Sequence, residues 1–260
     1  MDYLEEYYNS YDEEGRLLSR HGQVEFLTTM KYIEECLKDL SDPSIIEIGA
    51  GTGRYSVSLA KQGFRVTAVE LIEHNLEVLR SKLDGSEPIT AMQGNALDLS
   101  PLPDNSFDLT MLLGPMYHLY TEEAKIQALS EAVRVTRSGG HILVSYCMND
   151  PTVIQYVFGM NKLREVTDLN MLTEDWHCIS EPKDLFAMVR TEEIAELDAA
   201  VPVRRIKLVA TDGATNYKRE YIDAMDDETF GKWMNYHFTV CERQDLIGAS
   251  HHTLDILKKE

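Results

Sequence analysis

A glycine-rich turn near residue 50 carries the first indication of chemistry in this sequence. It reads Glu47-Ile48-Gly49-Ala50-Gly51-Thr52-Gly53 and follows an apolar segment. Glycines let the backbone turn sharply and lie against a ligand, and the N–H groups at the start of a following helix point at it. The spacing differs from the GxGxxG of dinucleotide-binding turns because Arg54 stands where the last glycine is needed. The pattern indicates a ligand-binding turn, with a purely structural turn as the alternative.

A second acid, Glu70, ends the next apolar segment, FRVTAVE at 64–70. In a parallel sheet, an acid at this position lies beside the glycine turn and can accept hydrogen bonds from both hydroxyls of a ribose. The alternative is a solvated strand end. Arg54 is too early in the chain to bind a ribose 2′-phosphate, which argues against NADP. No Gly-Lys-Ser/Thr sequence follows the turn, which excludes a phosphate-binding P-loop.

Alternating strands and helices are needed to bring these residues together, and the hydrophobic pattern predicts them. The predicted strands are 44–49, 64–70, 88–94, 107–114 and 141–146. Helices are predicted between them at 52–62, around a stripe of Leu76, Leu79 and Leu83, and from Thr121 to the Gly139-Gly140 pair. This alternation is typical of a parallel sheet with helices on both faces.

The pattern changes after Asp150, so we expect one domain over 1–260 with an interrupted second half. Its parts are a helical lead-in (1–42), a binding core (43–149), two helical insertions (151–188 and 216–246) and a last strand (250–259). A short helix near 192–199 and a strand at 203–211 lie between the insertions. We expect the insertions and the lead-in to cover the carboxyl ends of the strands. The alternative is that they form an outer layer or a dimer contact.

Composition narrows the classes of partner. The 260 residues are 43% hydrophobic and carry a formal net charge of -19. Such a surface disfavours nucleic acid and anionic membranes and suits a small-molecule partner, although an acidic docking surface stays open. Four dispersed cysteines give neither a disulfide framework nor a zinc pattern, so we expect no metal. An acidic start and the lack of a long apolar run predict a soluble, cytoplasmic protein of open oligomeric state.

Several longer segments, in order over about 43–147, resemble one family. EIGAGTGRYSVSLA, AVE, QGNALDLSPLPDNSFDLTMLL and ALSEAVRVTRSGGHILV look like the class I methyltransferases of the ubiquinone/menaquinone-biosynthesis type, or methyltransferase type 11. The resemblance implies a Rossmann-like α/β fold whose seven-stranded, mostly parallel sheet has an antiparallel last strand, which suits HHTLDILKK. It also implies an enzyme that uses S-adenosylmethionine. LLGPMYHL (112–119) is similar to a bacterial small-molecule subset with a Gly-Pro-apolar-Tyr-His-Leu loop.

The resemblance also implies a set of cofactor-binding residues. Asn95-Ala96 stands where the family usually has an acid and a small residue beside adenine, and Asn95 still offers a carbonyl acceptor. An arginine of the lead-in would pair with the methionyl carboxylate. The implied set is Glu47, Gly49, Ala50, Gly51, Gly53, Glu70, Leu71, Asn95, Ala96, Leu113, Arg20 and Tyr11.

Two residues of the loop after the fourth strand are candidates for the chemistry, because in this fold that loop faces the methyl group. His118 is a candidate general base, since its unperturbed pKa lies near neutrality. Tyr117 is a candidate to line the acceptor pocket or to hold the sulfonium with its ring face. The alternative is that both pack the loop against the lead-in. Three other functions stay open. The net charge disfavours RNA methylation, and the glycine spacing disfavours a nicotinamide oxidoreductase. The third is a non-catalytic regulator that binds the cofactor.

Overall fold

One seven-stranded sheet organises the computed structural model, which describes residues 3–11, 15 and 17–260. The strands are β1 (Ser44–Ile48), β2 (Arg65–Glu70), β3 (Ile89–Gln93), β4 (Phe107–Leu112), β5 (Thr136–Cys147), β6 (Val203–Ala210) and β7 (His252–Lys259). Their order across the sheet is β3-β2-β1-β4-β5-β7-β6. The pairs from β3 to β5 are parallel, whereas β7 is antiparallel to both β5 and β6. The expected Rossmann-like sheet with an antiparallel last strand is confirmed.

Helices flank the sheet and fill the predicted insertions. They are α1 (Tyr3–Ser10), α2 (Arg20–Leu37), α3 (Arg54–Lys61), α4 (Glu73–Ser81), α5 (Glu122–Val135), α6 (Asn149–Thr152), α7 (Leu163–Asp168), α8 (Thr191–Ala199), α9 (Arg219–Asp223), α10 (Asp227–Val240) and α11 (Gln244–Ile247). A π-helical stretch, Val153–Gly159, continues α6. Short 3-10 turns span Pro115–His118, Pro182–Asp184 and Thr215–Lys218. The side chain of Thr121 accepts a hydrogen bond from the Ala124 N–H and so fixes the start of α5.

The central strands are buried on both faces, which explains their nearly continuous apolar sequences. Successive side chains of a strand point to opposite faces. Ile46 and Ile48 of β1 therefore pack with Leu129 of α5 on one face. Ile45 of β1 packs with Ile33 of α2 on the other. The edge strand β3, by contrast, has no fully buried residue.

The pair Gly139-Gly140 was predicted to end the helix before the fifth strand, and this prediction is wrong. Helix α5 ends at Val135, and β5 begins at Thr136 and runs through Gly139-Gly140. Thr136 pairs with Phe107 of β4, and the register then shifts before Leu109 pairs with His141. Gly139 has a φ of +76° and takes up this shift. Gly139-Gly140 therefore belong to an irregular part of β5 and do not end a helix.

Gly53 has a structural role at the start of α3. It is the N-cap residue, with φ +84° and ψ +28°, so the helix begins at Arg54 rather than at Thr52. A Cβ atom at Gly53 would lie 2.5 Å from Cγ of the buried Leu79 of α4. The turn needs glycine here both for its left-handed backbone and for the close packing of α3 on α4.

Replacing Gly53 by alanine should therefore destabilise the protein more than the same change at Gly63. Gly63 also has a positive φ, +92°, but a Cβ atom there would meet no atom within 4 Å beyond its chain neighbours. Gly63→Ala should cost only the backbone strain, about 1–2 kcal/mol. Gly53→Ala adds overpacking worth about 1–3 kcal/mol. Urea unfolding of both variants tests this, and equal losses of unfolding free energy would contradict the packing role.

Candidate functional site

A cavity of about 290 Å³ opens at the carboxyl ends of the central strands; we call it the first cavity. The sheet order reverses between β1 and β4, and ligands of open α/β sheets bind at such a switch point. Eleven of the predicted site residues line this cavity: Glu47, Gly49, Ala50, Gly51, Glu70, Leu71, Asn95, Ala96, Leu113, Tyr117 and His118. The structure thus brings together residues from the loops after β1, β2, β3 and β4.

Glu70 joins the loops after β1 and β2 through its carboxylate. One oxygen accepts a hydrogen bond of 2.7 Å from the Gly51 N–H, and the other accepts one of 2.9 Å from the Ile72 N–H. Glu70 is only 5% exposed, and burial raises its pKa, whereas hydrogen bonds from the backbone of Ile72, Gly51 and Leu71 and from the Asn75 side chain oppose that shift. The carboxylate therefore ties the two loops together at the wall of the first cavity.

Glu47 lies deeper in the first cavity and holds the start of α3. Its Oε2 accepts hydrogen bonds from both the N–H and the hydroxyl of Ser56. The residue is 1% exposed, and this burial raises its pKa to about 8, against the effect of Ser56. The proximity of Glu70 raises the pKa further. Burial therefore favours the protonated form of this carboxyl.

Three of the predicted cofactor residues do not line the first cavity. Gly53 is turned away and packs against α4. Arg20 forms an ion pair with Asp227 at 2.5 Å, and its guanidinium lies 5.3 Å from the centroid of the Phe230 ring. Both of these partners of Arg20 belong to α10. The ring of Tyr11 stacks on Tyr7 at 4.8 Å between centroids. Tyr11 lines a neighbouring cavity instead.

Arg54 is a cation of the first cavity that the sequence analysis did not place there. It follows Gly53 directly and lines the cavity. Its guanidinium lies 4.6 Å from the centroid of the Phe26 ring. Its buried Nε has no hydrogen-bond partner among the described residues. Its position directly after the glycine turn is the sequence feature from which its place in the cavity could have been predicted.

His118 is held between α1 and the 182–186 segment by both ring nitrogens. Nδ1 lies 2.8 Å from the carbonyl oxygen of Leu185, which can only accept, so Nδ1 carries the proton. In the neutral ring Nε2 is then an acceptor, and it receives the hydroxyl proton of Tyr8 at 2.9 Å. Burial lowers the pKa of His118, which favours this neutral form. Tyr8 itself was not predicted as a site residue.

The Leu185 carbonyl that orients His118 belongs to a strained residue. Leu185 has a φ of +69°, a region that branched side chains rarely occupy. Its oxygen also accepts the hydroxyl of Tyr120 at 2.9 Å, so it uses both lone pairs. The Phe186 ring packs at 5.3 Å from the His118 ring, between centroids. This segment fixes the histidine tautomer.

A second cavity, of about 580 Å³, adjoins the first and shares Tyr8 and Tyr117 with it. One part of its wall is aromatic and comes from the lead-in, the loop after β4 and the 182–186 segment. The rest is polar. The aromatic residues are Tyr7, Tyr8, Tyr11, Tyr117 and Phe186, and the polar ones include Ser19, His21, Glu25, Asn216, Arg219 and His252.

Glu25, Asp212 and His252 bring ligand atoms within 4.8 Å of one another beside the second cavity. His252 Nδ1 lies 2.7 Å from Asp212 and 3.6 Å from Glu25. Burial works against both charges, but their attraction lowers the pKa of Asp212 to about 2 and, with Glu25, raises that of His252. Asp212 also accepts from Ser250 and Asn216. The cluster is therefore held together by a short hydrogen bond between His252 Nδ1 and Asp212.

Known proteins similar to this chain are methyltransferases. The family model described as "Methyltransferase domain" matches residues 46–144. A demethylmenaquinone methyltransferase of Clavibacter sepedonicus is 30% identical over 54% of this chain and 55% of its own. A ubiquinone biosynthesis O-methyltransferase of Alkalilimnicola ehrlichii is 23% identical over 64% of this chain and 66% of its own. The match thus spans between about half and two thirds of these curated relatives.

A solved structure extends the similarity to nearly the whole fold. The SAM-dependent methyltransferase of Thermotoga maritima, described as a possible histamine N-methyltransferase, has a TM-score of 0.59. The match covers 99% of both chains at 18% sequence identity, which shows that the two proteins share a fold. The resemblance to ubiquinone- and menaquinone-type methyltransferases is confirmed for the core of the chain. Within the described residues, we find no helix with the length and apolarity needed to cross a membrane.

The raised pKa of Glu47 predicts how stability depends on pH. Between about pH 4.5 and 8, the folded protein holds a proton on Glu47 that the unfolded chain releases. The contribution of Glu47 to the free energy of unfolding should therefore fall as pH rises through this window, on the order of 1.4 kcal/mol per pH unit. Glu47→Gln keeps an acceptor for Ser56 but cannot ionise, so it should lack this decline.

Urea unfolding of the wild type and of Glu47→Gln at several pH values measures the difference. Glu77→Gln removes an exposed acid of α4 and serves as the control. If the wild type and Glu47→Gln keep a constant difference from pH 5 to 8, the carboxyl is ionised throughout and the assignment is wrong.

Proposed function

We propose that this protein binds S-adenosylmethionine in the first cavity and transfers its methyl group to a small-molecule acceptor. The observation that carries the proposal is the position of Glu70. Its carboxylate stands at the end of β2, hydrogen-bonded to the Gly51 N–H of the glycine turn, and lines the first cavity where a ribose diol would donate to it. The methyltransferase match over 46–144 supports the same ligand.

Other residues of the first cavity fit the remaining parts of this cofactor. Arg54 offers a guanidinium whose Nε has no partner among the described residues, which suits a carboxylate. We assign to it the role first expected of Arg20. Gly49 allows close contact between the turn and Pro115, because a Cβ there would lie 2.5 Å from the proline ring. Asn95 and Ala96 are assigned to the adenine, although the Asn95 carbonyl already accepts from the Leu97 N–H at 3.0 Å.

The bound cofactor would supply an activated methyl group on a sulfonium. The protein has to align the acceptor, exclude water and take up a proton. We propose that the lead-in does most of the covering, because Leu4, Tyr8 and Leu17 line the first cavity together with Pro182. Much of the two insertions does not take part. Their exposed side chains Tyr156, Phe158, Met160, Trp176 and Tyr236 remain on the surface.

A small molecule suits both the size of the cavities and the net charge of -19. RNA would need a basic surface to neutralise its phosphates. The four cysteines are all unpaired, which fits the reducing cytoplasm that we propose as the location.

Ligand-dependent thermal stability tests the cofactor assignment. S-adenosylmethionine and S-adenosylhomocysteine should each stabilise the protein, by about 2.7 kcal/mol at a hundredfold excess over Kd, while NAD, NADP and ATP should not. Differential scanning fluorimetry or calorimetry provides the measurement. A shift with NAD as large as that with S-adenosylhomocysteine would refute the methyltransferase proposal.

The variant Glu70→Ala should weaken the binding of S-adenosylhomocysteine by about 1.5–3 kcal/mol, because the lost hydrogen bonds involve a charged group. Glu73→Ala removes an acid only three residues away that forms a half-exposed pair with Arg80. It should bind normally. Calorimetric titration of both variants gives the comparison, and normal binding by Glu70→Ala would remove the ribose assignment.

A further inference from the structure

We infer that a third cavity binds a free apolar α-amino acid of about the size of valine, with its carboxylate on Lys125, and that this ligand acts on His118. The third cavity has a volume of about 210 Å³ and lies between α5, α8 and the 177–189 segment. Among the described residues, Tyr120 alone lines both this cavity and the first. Neither the site nor its ligand depends on the proposed function.

Lys125 is a nearly buried cation without a partner of opposite charge. The residue is 9% exposed, yet its Nζ forms no hydrogen bond or ion pair with another described residue. Nζ itself is not fully enclosed, so it meets solvent, and Lys125 lines the third cavity. Burial lowers the pKa of Lys125, whereas the charges of Glu193 and Glu122 oppose that shift. A carboxylate in the cavity would supply the close contact that this ammonium lacks.

Two glutamates add negative charge to the third cavity. Glu122 lies three residues before Lys125 on the same face of α5, and Glu196 belongs to α8. Neither carboxylate has a hydrogen bond or an ion pair with any part of the chain that the structure describes. Glu193 is already engaged, because its Oε2 lies 2.8 Å from Nε2 of His177. The ligand should therefore bring a positive group to the two glutamates as well as a negative group to Lys125.

The mixed charges disfavour ligands of a single sign. An inorganic anion would pair with Lys125 but would be repelled by Glu122 and Glu196, and a polyamine would meet the reverse situation. On α5 the charges of Glu122 and Lys125 start from Cβ atoms roughly 5–6 Å apart. An α-amino acid carries its carboxylate and its ammonium on one carbon atom, so it can pair with both neighbours at once.

Volume and apolar lining limit the side chain of the ligand. At about 30 Å³ for each water molecule, the cavity holds about seven water-sized groups, which is close to the size of valine. Ala187, Val189 and Leu197 are buried residues that line it. They offer an aliphatic side chain the contact that favours its transfer from water.

Two hydrogen bonds connect the third cavity to the loop after β4. The hydroxyl of Tyr120 donates to the Leu185 carbonyl at 2.9 Å, and the same oxygen lies 2.8 Å from Nδ1 of His118. Ala187 donates its N–H to the Tyr117 carbonyl at 2.7 Å. A ligand packed on Tyr120 and Ala187 therefore acts on the oxygen that orients His118, without touching the histidine itself.

Calorimetric titration with L-valine tests the site and the class of ligand. L-Valine should bind with a Kd of about 1 mM or tighter, and at least about tenfold more tightly than isovalerate, isobutylamine or L-phenylalanine. Isovalerate lacks the ammonium, isobutylamine lacks the carboxylate, and L-phenylalanine is larger than the cavity. No binding of L-valine, or equal binding of either singly charged analogue, would overturn the inference.

Charge-removing variants test which groups hold the ligand. Lys125→Met keeps most of the aliphatic stem, and it should weaken L-valine binding at least about tenfold, to the level of isobutylamine. The double variant Glu122→Gln, Glu196→Gln should lose the preference for L-valine over isovalerate. Lys232→Met, at an exposed lysine paired with Glu228, is the control and should bind normally. Wild-type affinity for L-valine in Lys125→Met would overturn the inference.

Two NMR signals of the wild-type protein provide an independent test. L-Valine should raise the pKa of the Lys125 ammonium, measured through its ¹³Cε resonance, because a carboxylate partner favours the charged form. It should also shift the ¹⁵N resonance of His118 Nδ1, which the spectrum of His118→Asn identifies. Bound L-valine without a change at Lys125 would overturn the site, and without a change at His118 would overturn the action on that residue. Both signals are measured without S-adenosylhomocysteine, so neither result bears on the proposed function.

Discussion

The Glu70 carboxylate is almost completely withdrawn from water, and the geometry of the binding edge depends on how it is satisfied. A buried carboxylate without partners is costly. Here its two oxygens draw the Gly51 N–H and the Ile72 N–H towards one point. The loops after β1 and β2 are therefore fixed relative to each other without a bound ligand. Glu47 does the same for the start of α3 through Ser56. The first cavity thus lies between two buried acids that each accept hydrogen bonds from backbone N–H groups.

Local pattern was sufficient for most of this framework. Continuous apolar runs predicted the central strands, because β1 and β4 are buried on both faces, and period-3.6 repeats predicted the helices of the core. The glycine spacing and the acid after β2 located the ligand edge. The error at Gly139-Gly140 arose because a glycine pair marks an irregular strand as well as a helix end. Sequence alone does not separate the two.

The side chains above the sheet could not be predicted in the same way. Tyr8 and His118 are 110 positions apart, and their hydrogen bond depends on where α1 settles after the sheet has formed. The hydrophobic periodicity of the sequence does not predict this contact between α1 and the loop after β4. Arg20 and Arg54 illustrate the same limit. Either arginine could be expected from the sequence to pair with the methionyl carboxylate. Only the packing of α10 against α2 shows that Arg20 pairs with Asp227. Residues at the ends of the strands and on the loops that follow them were predictable, whereas the contacts of α1 and α2 were not.

The position of β7 bears on how the chain is made. β7 is the last strand in the sequence, yet it lies between β5 and β6 and is the partner through which β6 joins the sheet. Until β7 leaves the ribosome, β5 presents an open edge and β6 has no neighbour in the sheet. Open edges invite pairing with other chains. The nascent protein therefore passes through a stage at which most of the core has been synthesised but β5 still has an open edge, where pairing with other chains can start aggregation.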